Sequence, residues 1–165
     1  MFGWEFPPHI TGGLGTACFG LTRSLARLGT DLLFVVPRAY GDEDQSLVQL
    51  INASGVTVDL EKSELKEYWK RVQYMSVASQ IIPYVGPEDY ENINFENLKS
   101  EFGENSIFTH QYTFSGKYGK NLLFEVSRYA LIASGIAATN EFDLIHAHDW
   151  LTYPAGIAAK EVSGK

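Results

Sequence analysis

Between Gly29 and Pro37 the chain reads Thr-Asp-Leu-Leu-Phe-Val-Val. Residues 32 to 36 carry no polar interruption. A strand with one wet face alternates polar and apolar residues, so a short unbroken apolar run reads as a strand buried on both faces. The segment before it has a different period. Leu14, Ala17, Cys18, Leu21, Leu25 and Leu28 recur at three- and four-residue steps, with Arg23 and Arg27 off the stripe. That spacing predicts a helix, and Gly29 ends it. Further upstream, residues 1–4 read as a short buried strand. Residues 5–12 form a loop punctuated by Pro7-Pro8 and Gly12-Gly13. Strand, glycine turn, helix and buried strand make a βαβ unit, right-handed by strong default.

The rest of the chain continues the alternation. Val56 to Leu60 and Val72 to Ala78 read as strands. Residues 80–118 lose periodicity and read as an irregular insertion, and so long a stretch is seldom idle in a compact domain. Asn121 to Ala138 regains helical period through Leu122, Val126, Tyr129, Ala130 and Ala133. Asp143 to Ala147 reads as a strand, and residues 152–162 as a small-residue helix suited to close packing. The expected fold class is α/β: an open parallel sheet with helices on both faces. In such sheets ligands bind beyond the carboxyl ends of the strands. Two places fit, the turn after the first strand and the segment after Ala147.

Length and charge narrow the function. With 165 residues there is room for one compact domain. The formal net charge of -7, from 13 Lys+Arg against 20 Asp+Glu, argues against a general nucleic-acid binder. Cys18 is the single cysteine, so no intrachain disulfide forms and a reducing, cytoplasmic setting is expected. The densest apolar run, Leu32 to Pro37, is too short to span a bilayer, so no membrane is expected as a partner. The chain opens inside an apolar strand and closes on Val162-Ser163-Gly164-Lys165, which reads as an excised piece of a longer protein.

Thr11-Gly12-Gly13-Leu14-Gly15 stands between strand and helix. Glycines let the backbone approach a ligand, and a helix start offers unpaired N–H groups that favour an anion such as a diphosphate. The same glycines also suit a tight turn with no ligand. A P-loop is excluded, because Gly-Lys-Ser/Thr is absent. The dinucleotide fingerprint would put Cys18 at its third glycine and Pro37-Arg38 where an acidic ribose partner belongs, so nicotinamide cofactors are disfavoured.

His146-Ala147-His148-Asp149-Trp150 follows an apolar strand. In extended chain His146 and His148 share a face. Paired His with Asp is a ligand set for zinc or iron, yet the spacing departs from that of binuclear hydrolases, and neither His9 nor His110 has ligand spacing. A metal-dependent hydrolase using His146, His148 and Asp149 stands as the minor alternative. The non-metal reading is an imidazole hydrogen-bonding a polar substrate. His148, at the strand mouth, is the functional candidate. His146, nearer the sheet, reads as structural.

Taken together, Trp4-Glu5-Phe6-Pro7-Pro8, Thr11-Gly12-Gly13-Leu14-Gly15, Leu25-Ala26-Arg27-Leu28-Gly29, Val35-Val36-Pro37-Arg38-Ala39-Tyr40-Gly41 and Asp143-Leu144-Ile145-His146-Ala147-His148-Asp149-Trp150 occur in order. This combination resembles the N-terminal domain of the glycogen/starch synthase family of retaining glycosyltransferases. The likeness covers the first forty residues and the stretch from about Tyr118 onward.

The resemblance implies the N-terminal, acceptor-side half of a GT-B fold, two Rossmann-like domains facing across a cleft. It implies transfer of glucose from ADP-glucose or UDP-glucose to an α-1,4-glucan, with retention and with neither metal nor cofactor. By position, Thr11, Gly12 and Gly13 would approach the donor phosphates and Glu5 would lie near the sugar or acceptor. His148 would sit beside the transferred glucose, supported by Asp149 and Trp150. Tyr118 and Asn121 match the family's Tyr-Gly-x-Asn element on the cleft or acceptor side. Ile10 replaces a common Lys, which leaves the donor nucleotide open, and Phe124-Glu125 replaces the usual Arg-Phe. The nucleotide-holding charges would come from a C-terminal domain beyond this chain, so the piece alone is expected to be inactive. A sucrose-phosphate-synthase-like transferase is the nearest alternative. A carbohydrate-binding module using Tyr84, Tyr90, Phe95, Phe102, Phe108, Tyr112 and Phe114 is another, although those aromatics read more simply as a satellite core.

Overall fold

The computed structural model describes residues 1–59, 109–119 and 121–165. Its elements in order are helix α1 (Gly13–Arg27), strands β1 (Leu33–Val36), β2 (Gln49–Asn52), β3 (Thr57–Asp59) and β4 (Thr109–Gln111), then helices α2 (Leu122–Thr139) and α3 (Tyr153–Ser163).

The chain start is the hub. Phe2 pairs in parallel with Val35 of β1 on one side and with Ala147 on the other. The Phe2 amide donates to the His146 carbonyl at 2.8 Å, and the Gly3 amide to the Val35 carbonyl at 3.0 Å. β1 in turn pairs in parallel with β2. Across the sheet the order is therefore 146–148, 1–3, β1, β2, all parallel. The expected βαβ unit is present, and the molecule is α/β.

β1 is buried on both faces, as its composition requires. Phe34 and Val36 join Phe6, Cys18, Leu32 and Val48 on the α1 side. Val35 joins Phe2, Trp4 and residues of α2 and α3 on the other. Each fully buried large side chain of this kind contributes about 1.5–3 kcal/mol. Tyr129 of α2 anchors the second face. Its ring meets Phe2 and Trp4 edge-on, each at 6.0 Å. Its hydroxyl lies 2.7 Å from the Val35 carbonyl, in bonding distance of the sheet itself. α3 is alanine-rich, and Gly156 rests so near Ala147 that an added Cβ would stand 2.9 Å from that side chain.

Several expectations need correction. α1 runs where expected and ends in a Schellman arrangement, with Gly29 at φ 85°, its amide on the Ala26 carbonyl and the Thr30 amide on that of Leu25. Its buried stripe, however, is Gly15, Cys18 and Thr22. Leu21 and Leu28 face solvent, and the Thr22 hydroxyl is satisfied inside by donating to the Cys18 carbonyl at 2.6 Å. The predicted strand at 56–60 forms over Thr57–Asp59, but it pairs antiparallel with β4 in a separate small sheet. β2 was not foreseen, because only Leu50 and Ile51 in it are apolar. Of the predicted strand 143–147, only Ala147 pairs with a neighbouring strand. Phe114 belongs to the main core rather than to a satellite. Among the described residues α2 is the one helix long and apolar enough to cross a membrane. Most of its residues are buried against the sheet and α3, so it serves as a core helix. The strand at 72–78 and the aromatics Tyr84, Tyr90, Phe95, Phe102 and Phe108 lie outside the described residues.

Candidate functional site

The four strands of the main sheet are parallel, so the segments leaving their carboxyl ends share one rim. They are Glu5–Gly13 after the first strand, Arg38–Glu43 after β1, the short 3-10 helix Ala53–Gly55 after β2, and His148–Trp150 after residue 147.

The glycine turn is held from beneath. Glu5 is only 7% exposed. One of its carboxylate oxygens accepts the Thr11 amide at 3.0 Å, and the other accepts the Thr11 hydroxyl. The three glycines differ in what they do. A Cβ on Gly15 would stand 2.4 Å from Ile10 Cγ2 and 3.2 Å from Glu5 Oε2, so Gly15 is required by packing. A Cβ on Gly12 or Gly13 would meet nothing within 4 Å. Neither residue has a positive φ. Neither packing nor backbone conformation explains these two glycines, and their backbone is open to solvent. No N-cap side chain bonds to α1 and its first turn holds no acidic residue, and the carboxylate near this helix end, Glu5, is engaged with Thr11.

At the neighbouring strand end, His146 and His148 do share a face, with ring centroids 4.5 Å apart. His148 also lies against Phe34 at 5.6 Å. Its Nε2 is buried and has no hydrogen-bond partner among the described residues. Burial first, then the adjacent His146, lowers its pKa to about 4, so the imidazole is neutral at physiological pH. Asp149 is built into the start of α3. Its Oδ1 accepts the Leu151 amide at 3.1 Å, and its carbonyl accepts the Thr152 and Tyr153 amides. Burial raises the Asp149 pKa, the Leu151 and Thr152 amides oppose that rise, and the charge of Glu5 adds to it. Cys18 of α1 is pushed up to about 11, by burial first and then by Asp149, with a smaller push from Glu5. Asp149 and Glu5 thus act on one thiol near the start of α1. Trp150 packs against the main core.

Tyr118 packs against the same core, and Asn121 is exposed at the start of α2. The loop before them is fixed by Glu125, which accepts the Ser115 amide at 2.9 Å and the Gly116 amide at 3.1 Å. Glu125 acts as a loop strut. No ion-pair logic in the sequence pointed to it.

Sequence reasoning also missed His9 and Tyr40. The two rings stack at 3.9 Å, and His9 Nε2 lies 2.7 Å from Asp42 Oδ1. His9, Asp42 and Glu43 are the one group of metal-ligand types that converge among the described residues. The Glu43 oxygens are taken by the Tyr40 amide at 2.7 Å and the Gly41 amide at 2.9 Å. His146, His148 and Asp149 do not converge in this way.

No curated protein and no solved structure matches the chain. A family model described as the starch synthase catalytic domain matches residues 1–165, and the chain accordingly belongs to the glycogen/starch synthase family.

Proposed function

We propose that this chain is the acceptor-side half of a GT-B glucosyltransferase that moves glucose from ADP-glucose or UDP-glucose to an α-1,4-glucan with retention, in the cytoplasm and without a metal. Membership of the starch synthase family supports a glycosyltransferase using a nucleotide sugar and a glycan acceptor. One observation carries the residue-level reading. Gly12 and Gly13 are the two rim glycines that neither packing nor conformation explains, and they open an uncapped helix. A diphosphate seated there would meet backbone amides and the positive end of the α1 dipole.

In this reading Thr11, Gly12 and Gly13 face the donor phosphates. His148 acts as a neutral hydrogen-bonding group rather than as a cation. A buried polar atom without a partner costs about 1–3 kcal/mol, and a sugar hydroxyl reaching His148 Nε2 would offset that cost in the complex. Asp149 and Trp150 fix the peptide that carries His148. Tyr118 and Asn121 border the acceptor side. Glu5 shapes the glycine turn from below and lies near the sugar or acceptor. A second domain supplies the positive charge that the departing diphosphate demands. The half alone is therefore inactive.

The test is His148→Ala in the intact protein, assayed with ADP-glucose and with UDP-glucose. Turnover should fall by orders of magnitude while the fold is retained. An unchanged rate removes His148 from the mechanism, and glucose transfer by residues 1–165 alone removes the half-enzyme reading.

A further inference from the structure

Two loops of the rim are joined by a contact that the family likeness does not assign. His9 lies three residues before Gly12, on the segment that leads into the glycine turn. Tyr40 follows β1. Their rings stack at 3.9 Å with 29° between planes. The bond from His9 Nε2 to Asp42 Oδ1 closes the same contact from the side. The loop carrying Tyr40 is itself stiff. Both Glu43 oxygens accept amides from it, and Gly41 at φ 96° lets the backbone bend back to reach them. The Arg38 guanidinium stands 4.8 Å from the centre of the Tyr40 ring. The stem of Arg38 abuts Gly116, where an added Cβ would stand 3.3 Å from Arg38 Cβ. Gly116 belongs to the loop that Glu125 fixes just before Tyr118. Contacts thus run from the segment that leads into the glycine turn, through His9, Tyr40 and Arg38, to the Gly116 loop that precedes Tyr118.

We propose that Tyr40 is a positioning residue for the donor turn, holding His9, and through it Thr11–Gly13, in register with the loops after β1 and before α2. The inference rests on the reading of Gly12–Gly13 as the phosphate-facing backbone. Pre-set geometry matters there because a small misplacement of a binding group is expensive in rate or affinity. Tyr40 is 45% exposed, and its ring is engaged by the stack on His9 and by the Arg38 guanidinium. It touches no reacting atom and acts through His9.

The experiment uses Tyr40→Ala, Tyr40→Phe and His9→Ala in the intact protein, with two readouts. The first is hydrogen exchange without ligand at the His9, Ile10 and Thr11 amides, which donate to the Phe6 carbonyl, the Pro8 carbonyl and Glu5. The second is KM and kcat for ADP-glucose and UDP-glucose. Tyr40→Ala and His9→Ala should speed exchange at those amides by about tenfold. They should raise the donor KM on the order of tenfold with a smaller change in kcat. Tyr40→Phe keeps the ring and should restore both readouts. Unchanged exchange in Tyr40→Ala, or faster exchange with an unaltered KM, overturns the proposal. If the wild-type protein uses neither sugar nucleotide, the donor reading is what has failed, and the positioning role fails with it. If the wild type uses one and the variants use it equally well, the positioning role alone is refuted.

Discussion

Glu5 grips Thr11 with both carboxylate oxygens, one on the backbone amide at 3.0 Å and one on the hydroxyl. The pair spans residues 5–11, so a loop residue just beyond the first strand also sets where the glycine turn begins. Glu5→Ala leaves a part-buried amide and hydroxyl without their acceptor. A lost bond of this kind, with its partner left unsatisfied, costs about 1–3 kcal/mol. Denaturant titration of Glu5→Ala should show a lower midpoint with an unchanged slope, and donor affinity should fall with it. Glu5→Gln keeps one acceptor and should fall between the variant and the wild type. Equal midpoints for all three proteins contradict the strut role.

The glycines divide by what surrounds them, and that division is testable. Gly15→Ala drives a methyl into Ile10, whose Cγ2 and Cβ stand 2.4 and 2.9 Å from the new atom. Overpacking of this sort costs about 1–3 kcal/mol. Gly13→Ala meets open space and removes backbone freedom from the unfolded chain, so stability should hold or rise by about 0.5 kcal/mol. Donor binding should respond in the opposite sense, falling most in Gly12→Ala and Gly13→Ala. Thermal melts paired with calorimetric titration of ADP-glucose separate the two effects.

These contrasts show what a sequence reveals. The apolar run at 32–36 announced a doubly buried strand because burial on both faces is written into composition. Gly29 announced the end of α1 because the left-handed conformation needed there is cheap for glycine and costly for other residues. β2 left no such mark. Gln49 and Asn52 flank just two apolar residues, and the strand exists because β1 offers it a parallel edge. Thr22 holds a place in the buried stripe while Leu21 and Leu28 face solvent, and its hydroxyl finds a carbonyl one turn back, so a polar letter concealed a core position. At the rim, the glycines and the histidine segment were legible as motifs. The stacking of His9 on Tyr40 was not, because 31 positions separate the rings and neither lies on an element with a period. Glu5 was legible as a candidate, while its engagement with Thr11 required coordinates.

Tyr129 reports on how firmly α2 seats on the sheet. Its hydroxyl reaches the Val35 carbonyl at 2.7 Å and the Gly3 carbonyl at 3.1 Å, and burial holds its pKa well above the usual tyrosine value. Val35 also accepts the Gly3 amide, so its carbonyl is not stranded when the hydroxyl goes. Tyr129→Phe should therefore cost about 1 kcal/mol, near the ordinary net value of one bond, with the ring contacts intact. Tyr129→Ala removes the ring as well and should cost about 3–5 kcal/mol. Chemical denaturation of both variants checks the ratio.

His148 makes the pH prediction. Its pKa falls from an ordinary 6.5 to about 4 in the folded chain, by burial first and by His146 second. Between those two values the unfolded chain binds a proton that the folded chain refuses, so stability rises with pH across the window. The contribution is complete above about pH 6.5 and is lost as the pH falls toward 4. Asp149, whose pKa is raised, tilts the balance the other way, since its proton is held more firmly in the folded chain at acid pH. Comparing the wild type with His148→Gln isolates the imidazole, because Asp149 is common to both. The wild type should lose stability relative to the variant between pH 6.5 and 4, and the two curves should run parallel above pH 7. In a proton-detected titration the His148 ring should remain neutral well below pH 6, while model histidine is half-protonated near 6.5. A His148 that titrates near pH 6.5 would mean that its ring is solvated rather than lodged against Phe34. The unpartnered Nε2 would then be an ordinary hydrated nitrogen with no special reason to await a sugar hydroxyl.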